Sequence, residues 1–113
     1  MESLAQAHLE NAQLKLVEAN YHCKFGELDL IMEDAKTLVF VEVRYRQRSR
    51  YVSALESITV SKQKKLIRTA HNFLQSAPHY RNHNCRFDVI AIEGREDAPH
   101  IHWVKNAFLT NEH

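Results

Sequence analysis

The sequence predicts one α/β domain, residues 1–113, whose elements run helix, three strands, helix, two strands. Three observations carry that expectation. Apolar residues recur at helical spacing in two separated stretches, and runs rich in Val, Ile, Leu and Phe, bounded by polar turns, lie between and after them. The length of 113 residues suffices for one hydrophobic core and is too short for two domains.

At the start, Ala5, Leu9 and Ala12 in ESLAQAHLENA follow helical spacing, with Glu2 one turn before Ala5 on the same face. The next stretch, LKLVEANYHCKF, suits a continued helix or a strand. Its Tyr, Val and Cys content and the break at Asn11–Gln13 favour a strand from about Leu14 to Cys23. After Gly26, ELDLIMED and TLVFVEVRYR read as an antiparallel hairpin joined by the tight EDAK connection. Leu38 to Val41 is apolar at every position, as a central strand covered on both sides requires. Beyond the loop QRSRYVSALESITV, Ser61 is the expected N-cap of a helix reaching about Gln75. Its buried stripe is Leu66, Ile67, Ala70, Phe73, Leu74 and Ala77, with Lys65, Arg68 and Asn72 on the other side. Pro78 and HYRNHN end that helix, CRFDVIAIE is a further strand, Gly94 to Pro99 form a turn, and HIHWVKNAF gives a last short strand.

Composition narrows the class. With 44% hydrophobic and 26% charged residues the chain has the balance of an ordinary soluble globular protein. No apolar run approaches the roughly 20 residues of a membrane span. MESLAQAHLE lacks the charged start and apolar stretch of a signal peptide, so a cytoplasmic location and no membrane partner are expected. Cys23 and Cys85 sit in strand-like segments where buried, reduced thiols are expected, and no Cys/His spacing suits structural zinc. His100 and His102 share one face of the last strand, which reads as a solvated edge.

Fifteen Lys plus Arg against fourteen Asp plus Glu leave global charge uninformative, but its distribution is not. Arg44, Arg46, Arg48 and Arg50 alternate through RYRQRSRY with Tyr45 and Tyr51 interleaved, and KQKK follows from Lys62 to Lys65. Such a strip suits a phosphate backbone, or equally a solvated basic edge strand.

The acids of the hairpin point to chemistry. Side chains two apart on a strand share a face, so Glu27 pairs with Asp29 and Glu42 with Arg44 and Arg46. The hairpin brings Asp29 and Glu42 together at one end of the two strands. Carboxylates converging beside apolar residues require a cation, which is either a divalent metal with oxygen ligands or the arginines themselves. Gln63, three and four residues before Leu66 and Ile67, falls on the sheet-facing side at the start of its helix. Asp88 lies centrally in CRFDVIAI, where a buried acid must be bonded, and it reads as structural.

FGELDLI…VFVEVRYR, KQKKLIRTA, and CRFDVIAI followed by WVKNAF resemble, over nearly the whole chain, the bacterial UPF0102 or YraN-like family. That family is assigned to the restriction endonuclease-like PD-(D/E)XK superfamily and is similar in pattern to archaeal Holliday junction resolvases. The resemblance implies a restriction endonuclease-like αβββαβ core, a central mixed sheet flanked by helices. It implies an acid on the first helix, an Asp on the second strand and Glu-x-Lys on the third. Asp29 in GELDLI matches the aspartate, Glu42 in FVEVR the glutamate, and Glu2 in ESLA the helix acid. Gly26 and Glu27 match the family's own GE, and Gln63 resembles the glutamine of the following helix. Arg44 stands where the superfamily pattern has Lys; it holds phosphate well but stays protonated, which suits positioning and not general base catalysis.

The implied function is a Mg²⁺- or Mn²⁺-dependent endonuclease hydrolysing phosphodiester bonds in DNA. Asp29, Glu42 and Glu2 would be metal ligands, Asp29, Glu42, Arg44, Glu27 and Gln63 the catalytic set, and Arg44, Arg46, Arg48, Arg50, Lys62 and Lys65 the DNA contacts. Analogy with junction resolvases adds branched DNA and a homodimer. The alternative is a non-catalytic nucleic-acid-binding or scaffolding protein that keeps the fold.

Overall fold

The structure, a computed structural model, describes residues 2–46, 58–95 and 97–108. Helix α1 (Glu2–Asn11) leads into strands β1 (Lys15–Cys23), β2 (Gly26–Asp34) and β3 (Thr37–Arg46). Helix α2 (Val60–Ser76) and a 3₁₀ turn at Pro78–Tyr80 follow, then β4 (Asn84–Arg95) and β5 (Ala98–Val104). The five strands form one sheet in chain order. β1, β2 and β3 pair antiparallel, β3 and β4 run parallel, and β4 and β5 are again antiparallel. This mixed sheet with its two helices contains the αβββαβ order that the resemblance implies, with β5 added at one edge.

The central strands explain the architecture. Leu38, Val39, Phe40 and Val41 are all buried, and alternation sends them to opposite sides. Val39 and Val41 join Ala5 and Leu9 of α1 with Leu30, Met32, Ile90 and Ile92. Leu38 and Phe40 join Leu66, Ala70 and Phe73 of α2 with Phe87 and Val89. Each helix therefore covers one face of the sheet. β3 and β4 are parallel because α2 crosses over between them, as parallel neighbours require. Among the described residues no helix is long and apolar enough to cross a membrane.

The local signals differ from the sequence reading in several places. Helix α1 stops before Ala12, whose N–H bonds to the Leu9 carbonyl while Gln13 turns to φ +77°, so Leu14 fills the core position expected of Ala12. The cap of α2 is Thr59 and not Ser61: the Thr59 hydroxyl accepts from the Lys62 N–H at 3.1 Å, leaving Ser61 inside the first turn. Asn72 is not on a free face: it donates to the Tyr21 hydroxyl across from β1, while Lys65, exposed as expected, also borders the cleft described below.

The last strand runs from Ala98 to Val104, earlier than expected, and the chain then turns so that the Ala107 N–H reaches the Phe87 carbonyl at 2.7 Å and Phe108 stacks on Phe87. Both cysteines are free, but Cys85 is exposed and not buried as expected. It sits second in β4, where desolvation of its thiol still pushes the pKa up. His102 lies 3.6 Å from Glu93 on the exposed side of the β5 edge. Most of the loop that carries Arg48 and Arg50 lies outside the described residues.

A candidate carboxylate site where the hairpin opens

The hairpin between β2 and β3 turns at Ala35, with φ +57°, and its ladder is regular from Asp34 opposite Thr37 to Leu30 opposite Val41. One step further would place Asp29 opposite Glu42. There a side chain takes over from the backbone: Asp29 Oδ2 accepts the Val43 N–H at 2.8 Å. The neighbouring pair of strands is irregular at the same level. Ala19 and Leu30 belong to the α1 side, whereas Tyr21 and Leu28, two residues on, pack on the α2 side. Strict alternation forbids that exchange. Asn20, at φ +56°, accommodates it, and neither Asn20 nor Asp29 takes a place in the β1–β2 register. Asp29 thus sits at a defect that frees it from the ladder and turns it onto its neighbour's backbone.

Glu42 reaches the same place by regular alternation. Leu38 and Phe40 face α2, so Glu42 does too, at the point where α2 begins. It is 8% exposed. Lys62 Nζ lies 3.3 Å and Arg44 Nη2 3.4 Å from Glu42 Oε2. Both are loose contacts, longer than a good charge-assisted hydrogen bond. Burial, and then repulsion from the Asp29 carboxylate, push the Glu42 carboxyl above its usual range; Lys62 and Arg44 oppose this without cancelling it. Arg44 Nε is itself buried and finds no acceptor among the described residues.

These groups line a cleft of about 280 Å³ bounded by Gly26, Glu27, Asp29, Glu42, Lys62, Lys65, Leu66 and Thr69. Gly26 is required here. Its φ is +151°, and a Cβ would stand 3.1 Å from the Thr69 hydroxyl, so only glycine lets the start of β2 approach α2 this closely. Thr69, fully buried, donates its hydroxyl back to the Lys65 carbonyl at 2.8 Å and forms the inner wall.

The structure therefore brings Asp29, Glu42, Lys62 and Lys65 together around one opening, with Arg44 behind Glu42 and outside the lining. Glu27 stands at its rim, with a side chain 65% exposed and 3.4 Å from His22 Nδ1. Gln63 does not line the cleft: its amide donates to the Ile58 carbonyl at 3.2 Å and its N–H bonds to the Thr59 carbonyl, so it closes the helix start. Glu2 opens α1 and Arg46 ends β3, but their side chains lie outside the described residues, as do Arg48 and Arg50 entirely. Thr69 and the direct contact of Lys62 with Glu42 were not anticipated. The spacing of Lys62, Lys65, Leu66 and Thr69 along one face of α2 is the signal that could have found them.

The donor set fits a hard divalent cation. Asp29 and Glu42 are the converging pair, with Glu27 at the rim, and among the described residues no group of three or more metal-ligating side chains gathers closely enough to hold an ion alone. Mg²⁺ commonly takes one or two carboxylates and completes its octahedron with water and substrate oxygens. A Glu42 charge that two nearby cations leave incompletely compensated is consistent with a further cation at this point.

Asp88 supplies the contrast within the same sheet. It is 1% exposed, and Arg86 Nε donates to both its oxygens at 3.1 and 3.3 Å, Trp103 Nε1 to Oδ2 at 2.9 Å and the Asn106 N–H to Oδ1 at 3.0 Å. Four bonds leave little capacity for a ligand, and the acid ties β5 and the turn after it to β4.

Comparison with known proteins identifies the family. The model of the family described as "Uncharacterised protein family UPF0102" matches residues 1–92. A UPF0102 protein of Stutzerimonas stutzeri is 50% identical over 107 residues, covering 95% of this chain and 89% of that relative. One from Pseudomonas syringae pv. syringae is 51% identical over 108 residues (95% and 88%), and one from Nitrosococcus oceani 47% over 107 residues (95% and 86%).

Proposed function

The chain belongs to the UPF0102 family, and from that premise we propose that it is a divalent-metal-dependent endonuclease acting on phosphodiester bonds in DNA. The observation that carries the proposal is the convergence of Asp29 and Glu42 at the opened end of the hairpin, beside Arg44 and Lys62, with the Glu42 pKa raised. A buried Glu42 and a half-buried Asp29 set against two cations form the kind of carboxylate pair that metal-assisted phosphate chemistry uses.

Asp29 and Glu42 would hold Mg²⁺ or Mn²⁺, Asp29 through the oxygen not engaged by Val43. Bound there, the ion supplies Lewis-acid stabilisation to a phosphate oxygen and makes water a better nucleophile at neutral pH. Arg44, whose Nε is unsatisfied, takes a non-bridging oxygen of the scissile phosphate. Lys62, whose ammonium lies 3.3 Å from Glu42, would contact the same phosphate and compensate the charge that builds on it. It stands in for part of what the superfamily's lysine does, from α2 instead of β3. Glu27 at the rim supports the ion through water, and Gln63 fixes the first turn of α2 so that Lys62 points inward. Lys65, Arg46, Arg48 and Arg50 track the backbone without reading sequence. Branched DNA as substrate, a homodimer as the active unit and a cytoplasmic location complete the proposal; the first two rest on analogy at the level of the fold.

Arg44 favours a second reading, a nucleic-acid-binding protein without turnover, because a guanidinium in the lysine position cannot take a proton from water. Incubation of linear, flapped and four-way DNA with Mg²⁺ or Mn²⁺ separates the two. Cleavage by the native chain and none by Asp29→Ala is expected. Equal residual cutting by Asp29→Ala would place the site elsewhere, and tight binding without cutting would establish the second reading.

A further inference from the structure

A second groove opens on α2 beside the carboxylate cleft. It measures about 440 Å³ and is lined by Phe25, Ile67, Arg68, His71, Asn72 and Gln75. That volume lies within the roughly 300–1,000 Å³ of ligand clefts. The groove and the cleft are neighbours along both walls: Phe25 directly precedes Gly26 of the cleft, and Ile67 directly follows Leu66.

Three features of the groove point one way. Phe25 projects from the β1–β2 turn and is 38% exposed, although a turn of two residues has no need of a large apolar side chain. Lys24 Nζ lies 5.2 Å from its ring centroid, so the ring carries a cation on its approach. Arg68 adds a second cation and His71 completes the wall, with no carboxylate in the lining, and among the described residues Lys24 and Arg68 enter no ion pair. An aromatic face with cations around it and amides beside it is how proteins hold single-stranded nucleic acid, the ring stacking a base while the cations take its phosphates.

We infer that this groove binds an unpaired nucleotide of the DNA strand whose phosphate occupies the carboxylate cleft, the base stacking on Phe25 and the phosphate contacting Arg68. The inference rests on the nuclease reading and narrows its substrate to DNA with a single-stranded segment next to the cut. A base can lie on Phe25 only when its own face is released from the stack, so fully paired DNA cannot use the groove. Continuity with the cleft makes the strand, and not a separate ligand, the occupant.

The test is fluorescence anisotropy in EDTA, which prevents cutting, with a labelled blunt duplex and the same duplex carrying a single-stranded tail at either end. The native chain should prefer one or both tailed forms. Phe25→Ala, a surface change, should weaken binding of tailed DNA by about tenfold and of blunt DNA by less than twofold. Arg68→Ala should act in the same direction. Phe25→Trp should keep the preference, and its added fluorescence should be quenched by tailed DNA and not by blunt DNA. Equal affinity of the native chain for both forms, or an unchanged preference in Phe25→Ala, would overturn the inference while leaving the nuclease reading intact. So would a preference unchanged in Phe25→Ala together with conversion of a dimer to a monomer in sedimentation, which would make the groove a contact between copies. Absence of any DNA binding, in EDTA and with Ca²⁺ in its place, would overturn the inference, while cleavage with Mg²⁺ or Mn²⁺ decides the nuclease reading separately.

Discussion

Glu42 and Asp88 are acids of adjacent parallel strands, each buried in the middle of the sheet, and they are treated in opposite ways. Asp88 receives four bonds from three residues at 2.9–3.3 Å. Glu42 has two cations at 3.3 and 3.4 Å, and burial, then a second carboxylate nearby, raise its pKa. A buried charge is tolerated when the fold completes its hydrogen bonds. Where the fold leaves it incomplete, something from outside is expected to complete it. Burial alone therefore does not separate a structural acid from a functional one, but the quality of its partners does.

The largest effect that would sharpen this contrast is on cleavage and metal binding. Glu42→Gln removes one of the two proposed metal ligands, and a loss of several kcal/mol in transition-state stabilisation corresponds to a fall on the order of a hundredfold or more in rate. Asp88→Asn should keep the rate of the folded fraction within a few fold. Calorimetry with Mn²⁺ should show the same division, with heat lost in Glu42→Ala and retained in Asp88→Asn. Equal loss in both would mean that the two acids are not different in kind.

Stability should reverse the ranking. Asp88→Ala strands Arg86 Nε, Trp103 Nε1 and the Asn106 N–H together, leaving Arg86 only its 3.4 Å contact with Asp34, and breaking a buried pair in this way costs about 3 kcal/mol. Urea unfolding measures it. A change below about 1 kcal/mol would show that the network relaxes and that Asp88 is no keystone for β5.

A smaller effect concerns pH. The raised pKa of Glu42 means that the folded protein binds this proton more tightly than the unfolded chain does. The associated stability is fully present below the unfolded glutamate pKa and is lost as pH rises through the folded one. Glu42→Gln, which cannot ionise, should therefore be more stable than the native apo-protein at pH 7. That advantage should shrink as pH falls through the window between the folded and unfolded values. Differences in urea unfolding between the two proteins at each pH isolate Glu42 from the other titrating groups, and a pH-independent difference would refute the assignment.

Much of this was legible in the sequence, and the misses share a cause. The β2–β3 hairpin could be read because its period of two and its tight turn are both local. The convergence of Asp29 and Glu42 on one opening follows from that register, though not for the reason parity supplies. The exchange of faces between Ala19 and Tyr21, which accompanies the freeing of Asp29, carries no Gly or Pro to announce it. Helix starts are set by which hydroxyl reaches an N–H, so Thr59 and Ser61 are equivalent on paper. Asn72 was misplaced because helical periodicity marks the apolar face and says nothing of a polar residue that flanks it and reaches sideways to a sheet edge. Gln63 fell on the expected element but turned its amide to the Ile58 carbonyl, a choice that depends on backbone groups outside any pattern.

The unsatisfied Nε of Arg44 has a consequence in ligand-linked stability. The folded apo-protein already carries the penalty of a dehydrated donor without an acceptor, so an oxyanion that supplies one stabilises the native state beyond the attraction of the charges alone. Inorganic phosphate should therefore raise the melting temperature of the native chain more than that of Arg44→Lys, whose ammonium preserves the charge but has no Nε to satisfy. Equal shifts would reduce Arg44 to a point charge. A larger shift in the native chain would mean that the fold holds one donor in reserve for the phosphate.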